Sequence, residues 1–267
     1  MRAYLSVWRL RFLQGMQYRT AALAGIATQL FFGLVFIMVY VAFYEQGSSG
    51  SNFPLQDLVS YVWLQQMFLT FIMLWFRDNE IFELITTGNI AYELCRPCGL
   101  YPFWFAKLIG QRLSSAALRC WPILAIVLFL PRPYRLSPPP SLAALALFAA
   151  SLLVGLFVVV SVSMLLHLSV FWTLSPTGST LMVSVAGEFF AGTVIPVPLM
   201  PAWLQRVCDF LPFRWAADFP FRVYSGQIPT GEALWGIAAQ LAWIAGLVAV
   251  GMLSLRRAMR RVVVQGG

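Results

Sequence analysis

The sequence predicts an all-α polytopic membrane protein with six transmembrane helices, and three observations predict it. Hydrophobic residues make up 60% of the 267 and charged residues only 10%, against about 25% charged in soluble domains. Apolar windows long enough to cross about 30 Å of hydrocarbon, which takes roughly 20 residues, recur along the chain. The net charge of +8 comes mostly from arginines clustered beside those windows, a pattern suited to anionic headgroups rather than to nucleic acid.

Residues 1–19, "RAYLSVWRLRFLQGMQYR" after the first methionine, place Leu5, Trp8, Phe12 and Met16 on one helical face with arginines around it. Such a helix lies in the membrane interface rather than across it. The alternative is a basic N-terminus that only follows the positive-inside rule.

Residues 20–44 form the first span, too long for a signal-peptide core and without a small-residue cleavage site after it. Residues 58–76 form the second, shorter but free of charge. The third, 108–130, carries Arg119 and Pro122, and the fifth, 173–195, carries Glu188. The fourth, 141–166, and the sixth, 233–255, are uninterrupted.

With both termini inside, the inner segments hold Arg2, Arg9, Arg11, Arg19, Arg77, Arg96, Lys107, Arg256, Arg257, Arg260 and Arg261. The outer loops hold Arg132, Arg135, Arg206, Arg214 and Arg222. Eleven against five supports this orientation.

Most remaining polarity sits in an inner segment, 77–100, and an outer one, 196–231. Six prolines chop the outer segment into pieces too short to span. Short amphipathic helices that dip into the outer leaflet and pack on protein satisfy its backbone. The 131–140 link, "PRPYRLSPPP", reads as a tight outer connection.

Candidate chemistry is sparse. Cys95 and Cys98 have C-x-x-C spacing, but no strand pattern flanks them and no second ligand pair accompanies them. They read as small packing residues, and no metal or cofactor is expected. The one histidine, His167, falls in or beside the inner turn between spans four and five, where it caps a helix end or hydrogen-bonds within the bundle. No serine-protease motif surrounds it. A P-loop is excluded, because the one lysine lies in Ala106-Lys107-Leu108; the chain is expected not to be an enzyme. Glu188 and Arg119 must face protein or a wet cavity, either lining a transport path or forming a structural contact, with each other as one option.

Two stretches resemble the permease subunits of type-2 ABC exporters, in the six-span branch. "TTGNIAYELCRPCGLYPFWFAKLIGQR" carries a Gly, Ile-Ala-Tyr, Leu and Arg-Pro signature, and "GEFFAGTVIPVPLMPAWLQRVCDFLPFRWAADFPFRVYSG" a Gly-x-x-x-Pro, Leu-Pro and Leu-Pro-Phe pattern ending in Tyr-Ser-Gly. The resemblance implies a permease in the bacterial cytoplasmic membrane that exports or flips a substrate. It implies a second permease subunit, identical or similar, and two ATP-binding subunits that supply ATP and magnesium.

It also implies a cytoplasmic coupling helix after span two and an outer re-entrant helical hairpin between spans five and six. Arg77, Glu80, Glu83, Tyr92, Glu93 and Arg96 would then couple to the ATPase. Glu188, Phe189, Pro196 and Pro212 would line the path or its outer gate. Two other readings remain: an ion-coupled carrier working alone with Glu188 as its proton site, and a polytopic membrane enzyme.

Overall fold

In a computed structural model, residues 2–46 and 53–260 are described. Arg261, one of the basic residues counted above, lies outside them. Among the described residues every regular element is a helix. In chain order they are α1 (Arg2–Met16), α2 (Arg19–Glu45), α3 (Leu55–Met67), α4 (Leu69–Ile72), α5 (Asn79–Thr86) and α6 (Ile90–Leu94). There follow α7 (Leu100–Leu128), α8 (Leu142–Thr173), α9 (Pro176–Phe190), α10 (Ala202–Asp209), α11 (Asp218–Tyr224) and α12 (Thr230–Met259), with 3-10 turns at Val197–Leu199 and Arg214–Ala216.

Among the described residues three helices, α2, α8 and α12, are long and apolar enough to cross a membrane. The other three expected spans are helical but altered. Residues 58–76 break at Phe68 into α3 and α4, and the chain then runs non-helically from Met73 to Asp78. α7 starts at Leu100 rather than at residue 108, since nothing after Gly99 interrupts the helix, and it accommodates Pro122. α9 has 15 residues, about 22 Å at 1.5 Å per residue, and the chain turns at Gly192, where φ is +80°.

α8 differs most from expectation. Residues 167–172, expected as a turn, are helical, and the reversal comes at Leu174, with φ of 54°, and Ser175. His167 is a polar residue inside an apolar helix, not a breaker. The first stop signal is Pro176, which disfavours helix at the residue before it. Buried along most of its length, α8 is the central post of the fold. It packs along α12 and also meets α5, α7, α9 and α11.

α1 runs along the first half of α7. Tyr4, Trp8, Arg11 and Gly15 make this contact, and of the apolar face expected to lie in the membrane interface Trp8 shares in it. Small residues decide it. A Cβ on Gly110 would sit 2.7 Å from the Trp8 carbonyl oxygen, and one on Gly15 would overlap Ser114. Close backbone approach therefore outweighs the apolar stripe, and Leu5 is left exposed.

The prolines do chop residues 196–231 into short helices. α11 is almost wholly buried, whereas α10 exposes Trp203 and Val207, and Phe210 just after it is exposed too. The 131–140 link is pinned rather than merely tight: Trp63 Nε1 donates to Tyr134 O at 2.7 Å, Gln56 to Arg135 O at 2.8 Å, and Tyr224 Oη to Ser137 O at 2.8 Å.

Candidate functional site

Helix α5 is the best-defined polar site. Asp78 caps it: Oδ1 accepts from Glu80 N at 3.0 Å and Ile81 N at 3.3 Å, satisfying two donors that a helix start leaves free. Ile81, Phe82 and Ile85 are its buried face, and Glu83 is exposed. The break after α5 falls at Gly88, whose φ of +76° suits a residue without a Cβ.

The other carboxylate oxygen of Asp78 meets Lys107 Nζ at 3.1 Å, with both side chains at least 95% buried. Lys107 also reaches Glu80 at 3.0 Å, and Glu80 pairs with Arg11 of α1. Burial alone would raise the Glu80 carboxyl, but hydrogen bonds from Arg11 and Lys107 together hold it below its ordinary value.

His167 closes the cluster from α8. Its Nδ1 lies 2.7 Å from Ser163 O, and its Nε2 accepts from Asp78 N–H at 3.3 Å. The carbonyl requires a donor and the amide an acceptor, so the neutral tautomer protonated on Nδ1 satisfies both. The ring stacks on Phe82, with centroids 4.4 Å apart. Four helices, α1, α5, α7 and α8, thus share one polar joint.

Beside it, Arg112 of α7 is fully buried. Its guanidinium donates to the carbonyls of Thr70 (3.0 Å), Met73 (2.7 Å) and Phe76 (2.9 Å), and to Ser163 Oγ at 2.9 Å. One side chain therefore satisfies the backbone that is left open where α4 ends.

Of the candidate coupling residues, Glu80 belongs to the joint. Arg77 is half-buried, while Glu83 and Tyr92 are exposed, Tyr92 at 75%. Glu93 is buried and meets Arg96 at 2.9 Å, and the Arg96 guanidinium lies 5.0 Å from the Phe103 ring centre. Cys95 is exposed and Cys98 partly buried, both as free thiols. The described residues contain no group of three or more metal-ligating side chains.

The second group lies at the far end of α9. Glu188 borders a cavity of about 250 Å³ with Gln65, Gln66, Phe32, Phe36 and Thr193. Its Oε1 is buried without a partner. Tyr61 and Gln65 of α3 hold the adjoining turn, donating to Gly192 O at 3.1 Å and Thr193 O at 2.6 Å. Phe189 is half-buried against Phe190. Pro196 is buried at the start of a 3-10 turn, and Pro212 borders a separate small pocket with Gly187. Glu188 and Arg119 do not pair; Arg119 lies over Gly25 of α2 instead.

Sequence reasoning missed Asp78, Lys107 and Arg112, and also Asp218, a buried carboxylate between Arg214 and Arg222. Asp78 carried a readable signal, an N-cap residue just before "NEIFELI". The buried bases carried none, because nothing in the sequence says which backbone carbonyls or carboxylates will face them.

No curated protein and no solved structure matches the chain significantly. A family model described as ABC-2 family transporter protein matches residues 30–266, nearly the whole chain, and the chain belongs to that family of ABC-transporter permease components.

Proposed function

We propose that the chain is the membrane-spanning subunit of an ATP-driven exporter, acting as one of two facing permease subunits, identical or similar. Two separate ATP-binding subunits, carrying ATP and magnesium, dock on its cytoplasmic side. Six helical crossings, built on α2, α3 with α4, α7, α8, α9 and α12, leave both termini in the cytoplasm of a bacterial cell. Residues 77–100 form the coupling segment, and residues 196–231 an outer re-entrant hairpin.

The observation that carries this reading is the polar joint. A docking element must pass force to the spans without flexing, and α5 is tied at its first turn by Asp78, Lys107 and His167 to α7 and α8. Exposed Glu83, Tyr92 and Arg96 extend from that anchored base. In the assembled complex, Arg96→Ala and Glu83→Ala are expected to lower substrate-stimulated ATP hydrolysis about fivefold or more, the scale of a typical inter-site coupling. Unchanged stimulation in both variants removes the coupling assignment.

A second reading rests on Glu188, whose Oε1 is buried without a partner beside a cavity. Transport by this chain alone, driven by a proton gradient and lost in Glu188→Gln, would make it an ion-coupled carrier instead.

A further inference from the structure

Between α1, the start of α2 and the middle of α7 lies a half-open cavity of about 350 Å³. Arg11, Gln14, Gln111 and Arg119 give it a polar wall, Ala21 and Leu118 an apolar one, and no acidic residue lines it. Arg119 is the decisive group. Among the described residues no carboxylate pairs with it, and its Nε is buried without a hydrogen-bond partner.

Its guanidinium carbon lies over Gly25, where a Cβ would approach to 2.7 Å. Gly25 stands six residues after Arg19, the first residue of α2, so Arg119 sits about 9 Å along that helix from its start. An unpaired cation within an apolar span is costly unless an anion or water reaches it.

Two further features favour an anion. The start of α2 has no side-chain cap; Arg19 and Ala22 donate to Gln17 O and Tyr18 O, which leaves the N–H groups of Thr20 and Ala21 as the open donors, and the positive end of a 27-residue helix dipole adjoins the cavity through Ala21. Arg11, whose guanidinium is held by Glu80 and Gln14, lines the same space.

We propose that this cavity binds the phosphate-bearing headgroup of an anionic phospholipid. That the lipid comes from the cytoplasmic leaflet rests on the sidedness of the proposed function. A lipid fits better than a soluble phosphate because the helices that wall the cavity also expose apolar side chains, Leu23 on α2 and Trp121 on α7, where acyl chains can lie. Gln111 Oε1, buried and without a donor, accepts a hydroxyl of a glycerol headgroup. The family match begins at residue 30, so α1 and the first turns of α2 lie outside it.

The test uses the full-length chain without ATP-binding subunits, so its failure is distinct from failure of the coupling assignment. Native mass spectrometry reads the retention of phosphatidylglycerol relative to phosphatidylcholine in mixed micelles. The wild-type chain is expected to prefer phosphatidylglycerol. Arg119→Gln should lower the ratio about fivefold, the scale of one basic residue at an anionic surface, while Arg119→Lys keeps most of it. Gly25→Leu, which removes no charge but fills the guanidinium's place, should lower it as well.

Arg206→Gln, on α10, should change nothing. An unchanged ratio in both Arg119→Gln and Gly25→Leu overturns the site. Displacement of phosphatidylglycerol by excess inorganic phosphate or glycerol 3-phosphate overturns the lipid assignment and makes the occupant a soluble anion.

Discussion

Lys107 is 3% exposed, and its ammonium is held by Asp78 and Glu80. Removing one member of a buried pair strands the other charge, at about 3–5 kcal/mol. Lys107→Met should therefore lower resistance to unfolding by that order. Lys107→Met with Asp78→Asn should recover much of the loss, because Asn retains the cap of α5. An SDS or urea unfolding series on the two single variants and the double measures the coupling, and additive losses would contradict it. Glu80 adds a pH dependence. Its folded value lies below its unfolded one, so its contribution is present at neutral pH, above the unfolded value, and is lost as pH falls through the folded value. The stability gap between wild type and Glu80→Gln should accordingly narrow on acidification. A gap that stays constant to pH values below the carboxylate range would show that Glu80 contributes no linked stability. At this scale the sequence was only partly legible. Asp78 reads as a cap, but the ion pairs depend on α7 lying beside α5, which no local pattern states.

Among the helices, spacing and breakers carried most of the information. The prolines of 196–231 were visible, and they mark where helices stop. α8 runs past residue 166, where the fourth span was expected to end, because a histidine with partners on the α5 side sits inside the helix without interrupting it. The face of α1 that packs on α7 was not legible, because it is chosen by small residues on both helices. Gly110→Val tests this. The added side chain meets the Trp8 backbone carbonyl rather than a movable group, and overpacking of this kind costs about 1–3 kcal/mol. The variant should release α1, seen as faster proteolysis in residues 2–16 and altered Trp8 fluorescence. Unaltered protection would place α1 elsewhere.

For the whole molecule, the C-x-x-C reads as part of the connection into α7 rather than as a thiol site. Cys95 is exposed, Cys98 partly buried, and neither is bonded to the other. Transport by the assembled complex should survive Cys95→Ala with Cys98→Ala within about twofold, since surface changes of this kind cost under about 0.5 kcal/mol. A loss restored only by an oxidant or a metal would reverse this reading. By itself the sequence determined that the chain is helical and membrane-embedded, because hydrophobic content and window length are local quantities that the bilayer converts directly into helices. The family that its loop segments resemble is the one whose model matches residues 30–266. Tertiary structure alone decided which charges are paired, that Arg112 satisfies the open backbone after α4, that Arg119 faces a cavity rather than Glu188, and which face of α1 is packed. Those outcomes depend on the distance between residues remote in the chain, and a buried charge reveals its purpose only when the groups that face it are known.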